Sequence, residues 1–180
     1  YNETIRNRLT RINSDGTIDT SFIDPNINSS VNDLALQVDW KILMNWRYSS
    51  VWWQPRNRLT RLNNDWTLDS SFNPTVFSDW WFAIQPDGKI LYGGRRRLNS
   101  DGTVDTSFID PNPNWTISKI IIQPDGKIIM TGASMNLGGT VSLGVSRINP
   151  DGSFDNTFGT SGISLVALGG LPSQGGFEPE

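Results

Sequence analysis

The stretch from Asn13 to Asp19 carries an oxygen-bearing side chain at every second residue, a spacing that could surround a calcium ion. The oxygen donors would come from Asn13, Asp15, Thr17 and Asp19. A calcium loop of the EF-hand type needs glycine at its sixth position and glutamate at its twelfth, whereas here glycine is fourth and the twelfth residue is Asp24. Asx-turn hydrogen bonding explains the same residues with fewer assumptions. We therefore predict no metal site and no other cofactor.

Other catalytic groups are scarce. The 180-residue chain has no His and no Cys, which excludes Ser-His-Asp triads, Cys-His nucleophiles and thiolate zinc sites. A glycosidase needs two carboxylates about 5–10 Å apart, but most carboxylates here recur in every copy of a repeat, whereas a catalytic pair is normally unique to one place. We expect a protein that is not an enzyme and has no catalytic residue.

Charge and hydropathy point away from two classes of partner. The formal net charge of −3 provides no positive field for a nucleic-acid backbone, although Arg95, Arg96 and Arg97 lie together. Such short charge runs are usually solvated. No apolar run approaches the roughly 20 residues that cross a bilayer. We expect no nucleic-acid partner and no membrane span.

Two signatures recur along the chain and interleave. The first, R-[IL]-N-x-D-[GW]-[TS]-x-D-x-[ST]-F, begins at Arg11, Arg61, Arg97 and Arg147. The second, Q-x-D-[GW]-K-I, begins at Gln37, Gln85 and Gln123. Each contains an Asp-Gly corner between apolar, β-branched flanks, which predicts a tight β-hairpin. The predicted corners are Asp15 and Gly16, Asp87 and Gly88, Asp101 and Gly102, Asp125 and Gly126, and Asp151 and Gly152.

Two hairpins per repeat give four antiparallel strands in about 40–50 residues, the size of a propeller blade. We predict an all-β fold of tandem four-stranded antiparallel blades, β-propeller-like, as a partial propeller or part of a larger array. Residues 1–180 form one repeat array. Its modules are 1–22 (partial), 23–72, 73–108 (shortened), 109–158 and 159–180 (partial). In the shortened module, the second strand is expected to run almost directly into the third.

The pair of stretches "RLNSDGTVDTSF" and "QPDGKIIMTG" resembles the delta-60 repeat family. This resemblance implies a β-propeller-like scaffold in bacterial, largely secreted or surface-associated proteins. The expected function is a structural or adhesive scaffold in an extracellular or particle-surface assembly, such as a filament or a virion appendage of bacterial or phage origin. The expected partners are other copies of the chain or further repeats of a longer chain.

Three tryptophans stand where other copies of the repeat have glycine. Trp40 aligns with Gly88 and Gly126, Trp46 with Gly94 and Gly132, and Trp66 with Gly16, Gly102 and Gly152. Three interpretations stay open: the rings pack over neighbouring modules, they stack on sugars or a partner, or glycine positions have been misassigned as tryptophan. The second favours an alternative function, a carbohydrate-binding propeller segment. Its candidate glycan or partner contacts are Trp52, Trp53, Trp80 and Trp81.

Overall fold

The computed structural model describes residues 8–45, 49–56, 58–75, 81–112, 115–135 and 141–167. Within these ranges the regular structure is entirely β, as the repeat predicts, and no helix is long and apolar enough to cross a membrane. The strands are β1 (Asp33–Leu36), β2 (Ile42–Asn45), β3 (Ser50–Val51), β4 (Gln54–Pro55), β5 (Leu59–Leu62), β6 (Phe82–Ile84), β7 (Ile90–Tyr92), β8 (Arg96–Leu98), β9 (Trp115–Ile122), β10 (Ile128–Met135), β11 (Val141–Ile148) and β12 (Ile163–Ala167). The chain divides into two compact units, Tyr1–Phe108 and Ile109–Glu180.

The first unit contains two three-stranded antiparallel sheets, ordered β1-β2-β5 and β6-β7-β8, and the small hairpin β3-β4. Beyond the last strand of each three-stranded sheet, pairing continues as one isolated bridge, Leu62 to Leu68 and Leu98 to Val104. Among the described residues, the fourth strand expected of each of these two blades is therefore represented only by a single β-bridge. β7 and β8 are joined directly through Gly93, Gly94 and Arg95, as the short interval predicts.

The second unit contains a four-stranded antiparallel sheet with the order β12-β11-β10-β9. Ile128 pairs with Ile122 on one side and with Ile148 on the other. β12 pairs with β11, beginning with Ile163 opposite Ser146. This strand lies within residues 159–180, which the sequence assigns to the start of a further module, and it supplies the fourth strand of the sheet that precedes them.

The "QPDGKI" segments form sharp reversals between neighbouring strands. The Gln85 amide donates to the carbonyl of Lys89 at 2.8 Å, and the Gly88 amide donates to the carbonyl of Gln85 at 2.9 Å. Gly88 has a φ of 81°, the left-handed conformation that only glycine adopts without cost. The same two bonds close the turns from β1 to β2 and from β9 to β10. The "NxDG" corners of the first signature repeat this geometry.

In the sheet β1-β2-β5, strands β2 and β5 are buried on both faces. Successive side chains of a strand point to opposite faces, and along β2 Ile42 and Met44 join one apolar cluster while Leu43 joins another. The first cluster comprises Leu9, Phe22, Ile27, Ile42, Met44, Val51 and Leu62. The second comprises Leu43, Leu59, Phe72, Phe82, Ile90, Tyr92 and Leu98. Each face therefore packs against a different neighbouring module, which is how successive blades stack.

One contact between modules can be tested at a glycine. A Cβ atom added at Gly102 would lie 2.9 Å from the Phe72 ring, whereas one added at Gly16 would meet nothing within 4 Å. Both residues have positive φ, so alanine at either should cost about 1–2 kcal/mol. We expect Gly102→Ala to lose about 1–3 kcal/mol more because of overpacking. Urea denaturation of the two variants measures this difference, and equal losses would show that Phe72 does not pack against this corner.

Candidate functional site

The most elaborate polar site is a charge cluster built around the second aspartate of the first signature. In residues 85–108, Asp105 Oδ2 accepts hydrogen bonds from Arg97 Nε at 2.7 Å and Lys89 Nζ at 2.9 Å. Its Oδ1 accepts from the hydroxyl of Ser107 at 2.6 Å and from the Ser107 amide at 3.0 Å. Arg97 begins the first signature and Lys89 belongs to the second. The cluster therefore ties the two predicted hairpins into one module.

The same cluster recurs in the other modules. Asp69 lies 2.8 Å from Arg61 and 3.0 Å from Lys41. Asp155 lies 2.6 Å from Arg147 and 2.8 Å from Lys127. In the first partial module, Asp19 pairs with Arg11 at 2.6 Å. The lysine is 28 residues from its aspartate in two modules and 16 residues away in the shortened one. The cluster thus survives a change in connector length.

Backbone and aromatic contacts hold the arginine in place. The Asp105 amide donates to the carbonyl of Arg97 at 2.9 Å, which brings the two side chains to the same end of the hairpin. The Arg97 guanidinium lies over the ring of Phe108, the last residue of the signature, at 4.8 Å from its centroid. The corresponding distances are 4.4 Å for Arg61 over Phe72 and 4.8 Å for Arg147 over Phe158. Arginine favours such stacking, so the R, second D and F of the signature act together.

The tryptophans occupy varied environments. Trp66 is half-buried and meets Phe22 edge to face, with ring centroids 4.8 Å apart. Trp52 is also half-buried and donates from Nε1 to the carbonyl of Trp66 at 3.3 Å. Trp53, at the tip of the β3-β4 hairpin, is 81% exposed. Trp81 is half-buried beside β6, while Trp80 and Trp46 lie outside the described residues.

A groove of about 500 Å³ lies between two modules of the first unit. Lys41 and Arg61 line it from one module, and Asp87 and Asp101 from the next. Arg61 Nη1 donates to the carbonyl of Ser100 at 2.5 Å and so connects the two modules. The groove is lined by residues of two repeat copies, so no single sequence motif predicts it.

A sequence profile for a family described as "Domain of unknown function (DUF5122) beta-propeller" matches residues 1–22, 47–72, 85–108 and 123–158. The chain belongs to this β-propeller family. Each matched segment ends at the phenylalanine of the first signature, so the profile and the charge cluster describe the same unit. No curated protein matches the chain.

Electrostatics keep the recurring aspartates of this β-propeller chain ionised. The Ser107 hydroxyl, Lys89 and Arg97 together hold the pKa of Asp105 well below its usual range. Lys127 and Thr157 lower the pKa of Asp155 in the same way. Burial raises the pKa of Asp69, but hydrogen bonds from Ser71, Lys41 and Arg61 outweigh it and the pKa is lowered. Hydrogen bonds from Ser71, Ser107 and their equivalents also use the second carboxylate oxygen.

The residues considered for calcium are engaged in local hydrogen bonds. Asp15 Oδ1 accepts from the Thr17 amide at 2.9 Å and the Thr17 hydroxyl at 2.7 Å, and Asn13 donates to the same hydroxyl. Asp19 is paired with Arg11. In the part of the chain that the structure describes, no three His, Cys, Asp or Glu residues lie close enough together to hold a metal ion. The arrangement is that of Asx turns.

We expect Asp105→Asn to destabilise the protein much more than Asp101→Asn. The first change removes the carboxylate charge that pairs with the buried Arg97 and with Lys89, at a cost of about 2–3 kcal/mol, below the 3–5 kcal/mol of a fully enclosed pair because Lys89 is partly exposed. The exposed Asp101 accepts only from Thr103 in the described structure, and an asparagine oxygen can do the same. Denaturant titration compares the two, and similar losses would contradict a structural role for the cluster.

The clusters also predict a pH dependence. Because the folded-state pKa values of Asp69, Asp105 and Asp155 lie below the unfolded value of about 3.9, the folded state is favoured above that pH. The free energy of unfolding should therefore fall as pH drops below about 4. The pKa of Asp19 is lowered to about 2, so its contribution to that free energy is lost as pH falls through about 2. Thermal melts between pH 6 and pH 2 test this. An unchanged melting temperature would refute it, and Asp105→Asn should flatten the curve.

Proposed function

We propose that the chain is a non-catalytic structural or adhesive scaffold, a segment of a delta-60-type repeat array in an extracellular or particle-surface assembly such as a filament or virion appendage. The observation that carries this proposal is the burial of strands β2 and β5 on both faces of their sheet. A blade that covers one neighbour on each face builds stability through interfaces, which is the behaviour of repeat arrays. The extracellular, cell-surface or virion location rests on the delta-60 resemblance.

The state of the recurring carboxylates supports a role other than catalysis. A general acid must hold a proton near neutral pH, whereas the pKa values of Asp69, Asp105 and Asp155 are lowered. Their oxygens accept hydrogen bonds from cations and hydroxyls of the same module. These groups stabilise the blade, and the repetition of the arrangement fits a scaffold better than a single reaction centre.

The expected partner is another copy of the chain, meeting it along an exposed strand edge. β1 is the outermost strand of its sheet among the described residues. Leu34 and Leu36 on this strand are 45% and 56% exposed. An edge strand with free backbone groups and exposed apolar side chains favours addition of a further strand. Surface glycan is a second candidate partner.

We expect the 180-residue chain to self-associate and Leu36→Lys to weaken that association. A lysine on an edge strand opposes strand addition, and about 1.4 kcal/mol of lost interaction corresponds to a tenfold larger dissociation constant. Ile23→Lys is the matched control, because Ile23 is 62% exposed but lies outside the strands. Sedimentation velocity across a concentration series gives the three dissociation constants. A cooperatively melting monomer at every concentration would rule out assembly through β1.

Carbohydrate binding is the second candidate, favoured by the exposed ring of Trp53 at the tip of β3-β4. Aromatic faces stack on sugar rings through their amphipathic surface. Trp53→Ala is the cleanest test, because the half-buried Trp52 packs against the core and also bonds to Trp66. Glycan-array binding that persists in Trp53→Ala would exclude this ring as the platform.

A further inference from the structure

The tryptophans coincide with a backbone conformation that suits glycine. Among the described residues nine non-glycine residues have positive φ, and four of them are tryptophan, at 65° for Trp40, 51° for Trp52, 61° for Trp53 and 70° for Trp66. The whole chain has only eight tryptophans. Asn and Asp are the residues that tolerate this region, and a bulky side chain there is a genuine outlier. Each of the four tryptophans therefore holds a strained backbone.

Equivalent positions in other modules show the same backbone with glycine. The backbone amide of Trp40 donates to the carbonyl of Gln37 at 3.0 Å, just as the backbone amide of Gly88 donates to the carbonyl of Gln85 at 2.9 Å. The φ values of Gly88 and Gly126 are 81° and 82°. At the other corner, Trp66 at 70° corresponds to Gly102 at 92°. The turn therefore has the backbone conformation that suits glycine in every copy, including the copies that carry tryptophan.

The β3-β4 hairpin gives an independent observation. Val51 pairs with Gln54, so Trp52 and Trp53 are the two central residues of a two-residue turn. Positive φ at both central residues defines a type I′ turn, for which Gly-Gly is one of the preferred pairs. Trp52 is half-buried and Trp53 is exposed. The two residues therefore have the same backbone conformation although their side chains lie in different surroundings.

The family match gives a third observation that favours glycine at these positions. In the shortened module and the one after it, the matched segments begin at Gln85 and Gln123, the first residues of the second signature. In the earlier module the match begins at residue 47 and omits the equivalent stretch from Gln37 to Trp46. That stretch contains Trp40 and Trp46, both of which replace glycines of the repeat.

We propose that all eight tryptophan positions carry glycine in the protein made by its own cell, because one codon written as tryptophan is decoded there as glycine. UGA is a triplet of this kind, read as tryptophan under some genetic codes and as glycine under others. A single reassignment accounts for Trp40, Trp46 and Trp66 and for the turn at Trp52 and Trp53. It would leave no indole at residue 53, so it stands against the carbohydrate-binding candidate and leaves the scaffold proposal unaffected. It also extends to the three other sites, Trp80, Trp81 and Trp115, for which the repeat offers no glycine equivalent.

Mass spectrometry of tryptic peptides from protein purified from its natural source tests the inference directly. The peptides 42–47, 48–56 and 98–119 contain Trp46, the pair Trp52 and Trp53, and Trp115. We expect glycine at all four sites, with no tryptophan fluorescence from the intact protein. Tryptophan at any one of them overturns the proposal. Residue 115 is the sharpest site, since an explanation limited to turns would leave tryptophan there.

Stability provides a second readout in recombinant protein. Trp40→Gly should raise the folded-to-unfolded equilibrium constant about fivefold or more, because strain of about 1–2 kcal/mol is relieved at an exposed side chain. Val38→Gly is the matched control in the same turn, where φ is not positive and glycine should lower that constant. A decrease for Trp40→Gly like that of the control would count against glycine as the native residue.

Discussion

A buried carboxylate that must be neutralised from both hairpins organises each of the modules 23–72, 73–108 and 109–158. Burying a charge is costly unless it is paired and hydrogen-bonded, and Asp105 meets this requirement only when Arg97 and Lys89 reach it together. The strand register supplies that geometry, since Ile90, next to Lys89, pairs with Leu98, next to Arg97. A slip by one residue would turn the arginine to the opposite face of the sheet. The charge cluster and the apolar pattern therefore select the same register.

The same constraint explains why connector length varies without loss of the blade. Between β2 and β5 the chain makes the extra hairpin β3-β4, whereas between β7 and β8 it makes only a three-residue turn. Both connections leave at the end of the sheet away from the cluster, so Lys41 still reaches Asp69 as Lys89 reaches Asp105. Variation is confined to a part of the module that the ion pairs do not require, although Val51 of the extra hairpin joins the first apolar cluster. Loops at such places are where repeat arrays diversify.

The turns and hairpins could be predicted from sequence because their chemistry is local. "QPDGKI" carries its own corner residues, and the structure shows strands on either side of it. The charge cluster could not be predicted, because Lys41 and Asp69 are 28 residues apart and meet only through the register of β2 and β5. The lysine that recurs in every copy of the second signature was the one sequence feature that could have indicated the cluster. The pairing of β12 with β11 was also missed, since no Asp-Gly corner stands directly before β12.

Glycine at residue 66 is compatible with the stacking on which the scaffold depends. Phe22 meets Trp66 edge to face, and Phe72 lies against Gly102 so closely that a Cβ there would sit 2.9 Å from its ring. The phenylalanine of one module thus covers the corner of the next in both places. Where the corner is glycine, the ring itself fills the space that a side chain would take. Without the indole of Trp66, Phe22 can close on the backbone as Phe72 does, and the contact between modules is kept by the phenylalanine rather than by tryptophan.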